Sequence, residues 1–145
     1  MNGINKQYLI DSNIIIYHLN GVEIATNFLK ENILNSFISR ITFVEVLYFN
    51  FTEEEKNDVL KLLNTFTIID TNENISLQCL KNREVKKIKL PDNIIASSAQ
   101  VNNLILVSRN TKDFENLDNR RIAVGLPPWQ LEKDIRQLLR KKYGF

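Results

Sequence analysis

The sequence predicts an α/β sandwich built on a mainly parallel sheet, and three observations carry that prediction. Short apolar runs of strand length, "QYLI", "SFIS", "FTII" and "LILVS", alternate with longer segments whose apolar residues recur at helical spacing. Glycine (4) and proline (3) are scarce among the 145 residues, so most of the chain should be helix or strand. The apolar runs also end on polar residues: Asp11, Asp70 and the sequence Ser108-Arg109-Asn110. In parallel α/β sheets ligands gather beyond the carboxyl ends of the strands, so functional groups are expected there.

Taken in order, "QYLID" (7–11) is the first strand and "SNIIIYHLNG" a helix stopped near Gly21. "EIATNFLKENIL" (23–34) places Ile24, Phe28, Leu29 and Ile33 at helical spacing. "SFISR" (36–40) is a short strand and "TFVEVLYFN" the helix behind it. Thr52 is the expected N-cap of "TEEEKNDVLKLLNTF", whose acids fall in the first turn where the helix dipole favours them. "FTIID" (66–70) repeats the strand-then-acid pattern. "NISLQCLKNREVKKI" reads as an amphipathic helix, "PDNIIASSAQVN" as another with Pro91 near its start, and "LILVS" (104–108) as a buried strand. "TKDFENL" is a short helix or turn, and "PWQLEKDIRQLLRKKYG" a terminal helix after Pro127 and Pro128.

Composition fits one domain with one core: 43% hydrophobic and 25% charged residues. No segment reaches the roughly 18 uninterrupted apolar residues of a membrane span, and the N-terminus lacks signal-peptide form, so a cytoplasmic protein is expected. The one cysteine, Cys79, has no partner for a disulfide or a metal and reads as a core residue in a reducing compartment. His18, the one histidine, lies between Tyr17 and Leu19 without ligand companions and reads as structural. Dinucleotide, P-loop and serine-hydrolase readings lack their glycine-rich or nucleophile motifs. Charge is uneven. Residues 120–145 carry seven basic side chains against Glu132 and Asp134, or +5, which leaves −3 for the rest of a chain whose net charge is +2. That basic end points weakly to a polyanionic partner.

Each acid has a structural explanation when taken alone. Asp11 and Asp92 can cap helices, and Thr42 with Glu45 matches the capping box [ST]-x-x-E. Glu45 nevertheless lies within "SRITFVEVLYFNF", among bulky apolar neighbours, where an unpaired charge is costly. Carboxylates gathered at one sheet edge raise each other's cost of ionisation, and a divalent cation removes that cost. With no usable His or Cys constellation, an all-oxygen site is the expected kind, and Mg²⁺ is its usual occupant.

Four segments, in order and at matching spacing, resemble the motifs of PIN domains: "LIDSNIIIYHL", "SRITFVEVLYF", "KLPDNIIASSAQ" and "LILVSRNTKDFENL". The resemblance covers about residues 7–117 and is nearest to the VapC-type toxins of toxin–antitoxin modules. It implies a three-layer α/β/α sandwich with a mainly parallel central sheet. A nuclease domain over residues 1–126 would be followed by a basic C-terminal helical extension, 127–145, which the compact toxins lack. It also implies a Mg²⁺- or Mn²⁺-dependent endoribonuclease acting on structured RNA such as tRNA, forming homodimers and inhibited by a small antitoxin.

Carried over by position, Asp11 and Asp92 match the direct metal ligands, and Glu45 the glutamate acting at or near the metal. The fourth acidic position is occupied by Asn110, with Asp113 the next acid, and both are catalytic candidates. Asp70 has no counterpart and reads as a helix cap. Arg109, Lys112, Arg136 and Arg140 are the candidates for RNA phosphate contacts. A catalytically inactive PIN-like module that binds RNA or protein is the alternative. A receiver domain would need paired acids after the first strand and a lysine after the last, which "LIDSN" and "LVSRN" do not supply.

Overall fold

Five short parallel strands in the order β3-β2-β1-β4-β5 form the sheet of the computed structural model. The structure describes residues 6–110 and 112–117, together with the backbone of 122–124. β1 (Tyr8–Ile10) is central, with β2 (Ser36–Ser39) on one side and β4 (Ile105–Ser108) on the other. β3 (Thr67–Ile69) extends the sheet beyond β2, and β5 (Ile122–Val124) extends it beyond β4. The chain therefore builds outward from β1 to β3, then crosses back to the far side of β1. That reversal puts the topological switch point between the carboxyl ends of β1 and β4, where open α/β sheets leave a crevice.

Residue alternation along the strands splits the core into two layers. Ile10, Ile38 and Val107 face one side, packing with Ile14, Ile15, Ile16, Ala25, Leu29, Val46, Val59 and Leu63. Those residues belong to α1 (Ser12–Leu19), α2 (Glu23–Asn32), α3 (Arg40–Leu47) and α4 (Glu53–Leu63). Leu9, Phe37 and Leu106 face the other side, against Ile95, Ala96 and Ala99 of α6 (Leu90–Val101) and against Phe114 and Leu117. α5 (Glu73–Val85) packs on α6, completing the helical layer. The three-layer sandwich expected from the sequence is the fold observed.

Local chemistry explains the helix boundaries. The run Ile14–Ile16 is β-branched and intrinsically poor for a helix, yet all three side chains are fully buried, and burial overrides propensity. Asp11 caps α1 by accepting from the Ser12 N–H (2.8 Å), and the chain leaves through Gly21, whose φ of +77° favours glycine. Thr52 opens α4 with a full capping box shared with Glu55.

Four sequence expectations require correction or extension. Ser39, not Thr42, caps α3, accepting from the Ile41 N–H (3.1 Å), so Thr42 and Glu45 form no capping box. Thr42 is buried, and its hydroxyl has no hydrogen-bond partner among the described residues. Asp92 lies inside the first turn of α6, after the cap position at Lys89. Asp70 does not cap α5, which starts at Asn72 accepting from Ile75 N–H (2.9 Å). Asp70 instead pairs with Arg40 (2.6 Å) across the exposed ends of β2 and β3. β5 had no counterpart in the expected elements. The terminal helix falls outside the described residues, as do Arg136 and Arg140.

A buried amide network fixes α6 against α5. Asn82 Nδ2 faces Asn93 Oδ1 (3.0 Å), Ser97 Oγ (3.0 Å) and Gln100 Oε1 (2.7 Å), while Asn93 Nδ2 donates to the Cys79 carbonyl (2.9 Å). Asn93 directly follows Asp92, so the network also sets where that acid projects. Removing the shared donor with Asn82→Ala would leave several buried acceptors unpaired, at a cost of about 1–3 kcal/mol. Urea denaturation should show a lowered midpoint of that size, and an unchanged midpoint would mean that solvent replaces the network.

Candidate metal centre

The four acids singled out along the sequence arrive at the switch point from four different elements. Asp11 ends β1, Glu45 projects from α3, Asp92 from the first turn of α6, and Asp113 from a 3₁₀ turn, Lys112–Phe114, that follows β4. Asp11 is 3% exposed, Glu45 and Asp92 are half-buried, and Asp113 is at the surface.

Asp11 is held on both oxygens. Oδ1 accepts from the Ser12 N–H, and Oδ2 accepts from Ser108 Oγ (2.6 Å) and Asn13 Nδ2 (3.3 Å). Ser108 Oγ itself accepts from the Asn110 N–H (3.0 Å) and Asn13 Nδ2 (3.4 Å), which leaves its proton for Asp11. Asn13 Oδ1 accepts from the Arg109 N–H (3.2 Å), so one side chain clips the end of β4 to the start of α1. Serine at 108, at the end of β4, therefore supplies the hydroxyl that fixes Asp11.

Glu45 resolves the oddity of an acid in an apolar run. On α3 its neighbours Phe43 and Leu47 pack into the core, while Glu45 accepts from Ser12 Oγ (3.1 Å). Ser12 Oγ also lies 3.4 Å from Asp11 Oδ1, so its single proton is shared between two carboxylates without satisfying either fully.

Electrostatics reflect the crowding. Burial raises the Asp11 carboxyl above its usual range, opposed by the Ser108 and Ser12 hydrogen bonds and reinforced by Asp113. Glu45 is raised by burial and then by the charges of Asp11 and Asp92. Asp92 is pushed up to about 6, by burial first, then by Asp11 and Asp113, with Lys89 in opposition. Asp113 is thus a fourth acid, felt by Asp11 and Asp92, whereas Asn110 enters through its backbone N–H.

This set fits a hard divalent cation: only oxygen donors, in mutual repulsion, at a recessed sheet edge. Among the described residues no three Asp, Glu, His or Cys side chains are arranged to hold an ion between them directly. Ligation through one or two carboxylates plus water is therefore the mode that fits. His18 takes no part, since its Nδ1 bonds with Thr26 Oγ1 (2.8 Å), and Cys79 is buried in α5. Ser12, Asn13 and Ser108 escaped the sequence reading as site residues, although each adjoins a named one. Arg109 and Lys112 both lie close to the acids in sequence. No helix of the described residues is long and apolar enough to cross a membrane.

A parallel sheet of this order covered by helices on both faces defines a class of α/β domain, and known proteins share that fold. The PIN domain family profile matches residues 8–120. A chain of a toxin–antitoxin complex from Klebsiella pneumoniae is similar, at 34% identity and a TM-score of 0.71, covering 78% of this chain and 94% of that one. A chain of VapBC2 from Rickettsia felis, bound to a promoter DNA fragment, is similar at 25% identity and a TM-score of 0.66, covering 79% and 95%. A chain of DNA-bound VapBC from Salmonella typhimurium shares the fold at 21% identity, with a TM-score of 0.70 and coverage of 83% and 98%. A comparison with curated protein sequences returned no match. The chain belongs to the PIN domain family, and within it resembles the VapC type.

The raised acids make metal-free stability depend on pH. A carboxyl whose folded value lies above its ordinary 3.8, as at Asp92, binds its proton more tightly in the folded state. Its stabilising contribution is then full below about 3.8 and lost as pH rises through about 6. In the presence of EDTA the melting temperature should fall between pH 5 and pH 7. Asp92→Asn should flatten that fall and melt above the parent at pH 7. Melting below the parent there would show that the Asp92 charge is already compensated within the protein.

Proposed function

We propose that this protein is a VapC-like toxin: a Mg²⁺- or Mn²⁺-dependent endoribonuclease that cuts structured RNA such as tRNA and is held in check by a small antitoxin. The observation that carries this reading is the crowding of Asp11, Glu45, Asp92 and Asp113 at the switch point, where burial and mutual repulsion raise the first three. The toxin–antitoxin assemblies among the similar structures support the partner.

Asp11 and Asp92 would hold the cation, with Glu45 acting on it directly or through water. When bound, such an ion makes water more acidic and offsets charge on a phosphate. The protein's own groups do the rest. Ser108, Asn13 and the Ser12 N–H orient Asp11, and the Ser108 and Ser12 bonds favour its ionised form against the larger effect of burial. Glu45 would accept a proton from the attacking water: among the described residues it accepts one hydrogen bond, and burial raises its affinity for protons. Hydrolysis adds the water oxygen to phosphorus and breaks the bond to O3′, leaving a 5′-phosphate and a 3′-hydroxyl. Homodimerisation and a cytoplasmic location belong to the same proposal. Exposed apolar side chains on α3 (Val44) and just after it (Tyr48), and on α5 (Leu77, Leu80), are surfaces that partner chains would cover.

The test is cleavage of a structured RNA with and without Mg²⁺ or Mn²⁺. Glu45→Gln keeps volume and an acceptor oxygen, so it should fold as well as the parent yet cleave on the order of a hundredfold more slowly. A parent that binds RNA but never cleaves it with either metal would instead establish the inactive binding module.

A further inference from the structure

Between α5 and α6 the chain passes through Lys86, Lys87, Ile88 and Lys89, and this loop walls a cleft of about 330 Å³ whose other lining residues are Asp92 and Asp113. That volume is at the lower end of the ~300–1,000 Å³ typical of small-ligand clefts, which suits one nucleotide unit. The wall is built, not loose. Ile88 packs against the core layer of α6, and Lys86 Nζ donates to the carbonyls of Lys112 (3.0 Å) and Glu115 (3.0 Å). Lys86 thereby fastens the loop to the turn that carries Asp113.

Lys87 and Lys89 are different. Both are exposed, and neither ammonium has a hydrogen-bond or ion-pair partner among the described residues. Lys89 is near enough for its charge to favour ionised Asp92. The adjacent acids repel a polyanion, so a nucleic-acid strand can settle over them only where fixed cations offset that repulsion. An ammonium serves this purpose as a point charge that binds phosphate without reading sequence.

We infer that Lys87 and Lys89 form a phosphate-binding subsite that grips the RNA strand beside the bond placed over Asp11 and Asp92. The subsite rests on the ribonuclease reading for its purpose, but its binding can be measured without cleavage. The full chain carrying Lys87→Gln and Lys89→Gln is compared with the parent by fluorescence anisotropy. The probe is a labelled single-stranded RNA oligonucleotide in EDTA, titrated at several salt concentrations. Two lost phosphate contacts should make the slope of log K against log salt shallower by about 1.4, with several-fold weaker binding. In a single-turnover assay with Mn²⁺ the double variant should need more protein for half-saturation yet reach the parent's maximal rate. Its far-UV circular dichroism should match the parent's, since both side chains are exposed.

Equal affinity and salt slope in parent and variant would overturn the subsite, as would a parent that does not bind the oligonucleotide. A lowered maximal rate with unchanged binding would also overturn it, because the lysines would then act on the reaction rather than on the strand. If binding depends on the lysines but no RNA is cleaved, the ribonuclease reading falls and the subsite stands. If cleavage is normal and binding ignores the lysines, the reverse holds.

Discussion

The repulsion among Asp11, Glu45 and Asp92 is the constraint on which the rest of this structure depends. Like charges within about 4–6 Å disfavour one another's ionisation, and burial adds to that cost. An isolated domain of this size has only about 5–15 kcal/mol of net stability, so a recessed acidic cluster must be held by strong local structure. It is held at the switch point of the sheet. β1 and β4 lie side by side there, and the Asp11 N–H donates to the Val107 carbonyl (3.0 Å) as an extension of their ladder.

From that anchor the supporting interactions spread outward. Ser108 and Asn13 join the end of β4 to the start of α1, and the Ser12 hydroxyl reaches α3 through Glu45. The Asn82 network sets α6, and with it Asp92, against α5. Each acid thus rides on a rigid element, while the basic residues nearest the cleft sit on the connecting loop. That division suits a site in which metal ligands need fixed positions and a phosphate chain needs adaptable cations.

Much of this was legible in the sequence, because parallel strands buried on both faces read as short continuous apolar runs. "LILVS" and "QYLI" announced themselves in that way, and polar residues marked their carboxyl ends. Asp11 was doubly legible, since its capping role and its place at the site are the same geometry. Glu45 was misread in its local partner. A capping-box pattern at Thr42 was present, but the chain turned into the helix three residues earlier, at Ser39, and freed Glu45 for a residue 33 positions away. Asp70 misled for a similar reason: Asn72 was better placed to cap, and Arg40, 30 residues away, took the charge. Contacts across strands carry no periodic signature, so neither pairing could be read from spacing. β5 was missed because "IAV" runs into Gly125 and lacks the polar residue that follows the other apolar runs.

The central claim is that these carboxylates are assembled in the folded protein for a cation they do not themselves supply. The direct measurement is the melting temperature at pH 7 as Mn²⁺ is titrated into RNA-free protein. Stabilisation should grow as RT ln(1 + [L]/Kd), because the ion binds the folded state. A variant carrying Asp11→Asn and Asp92→Asn should melt at or above the metal-free parent and gain nothing from Mn²⁺. A parent unmoved by millimolar Mn²⁺ or Mg²⁺, or a double variant stabilised as much as the parent, would contradict the account.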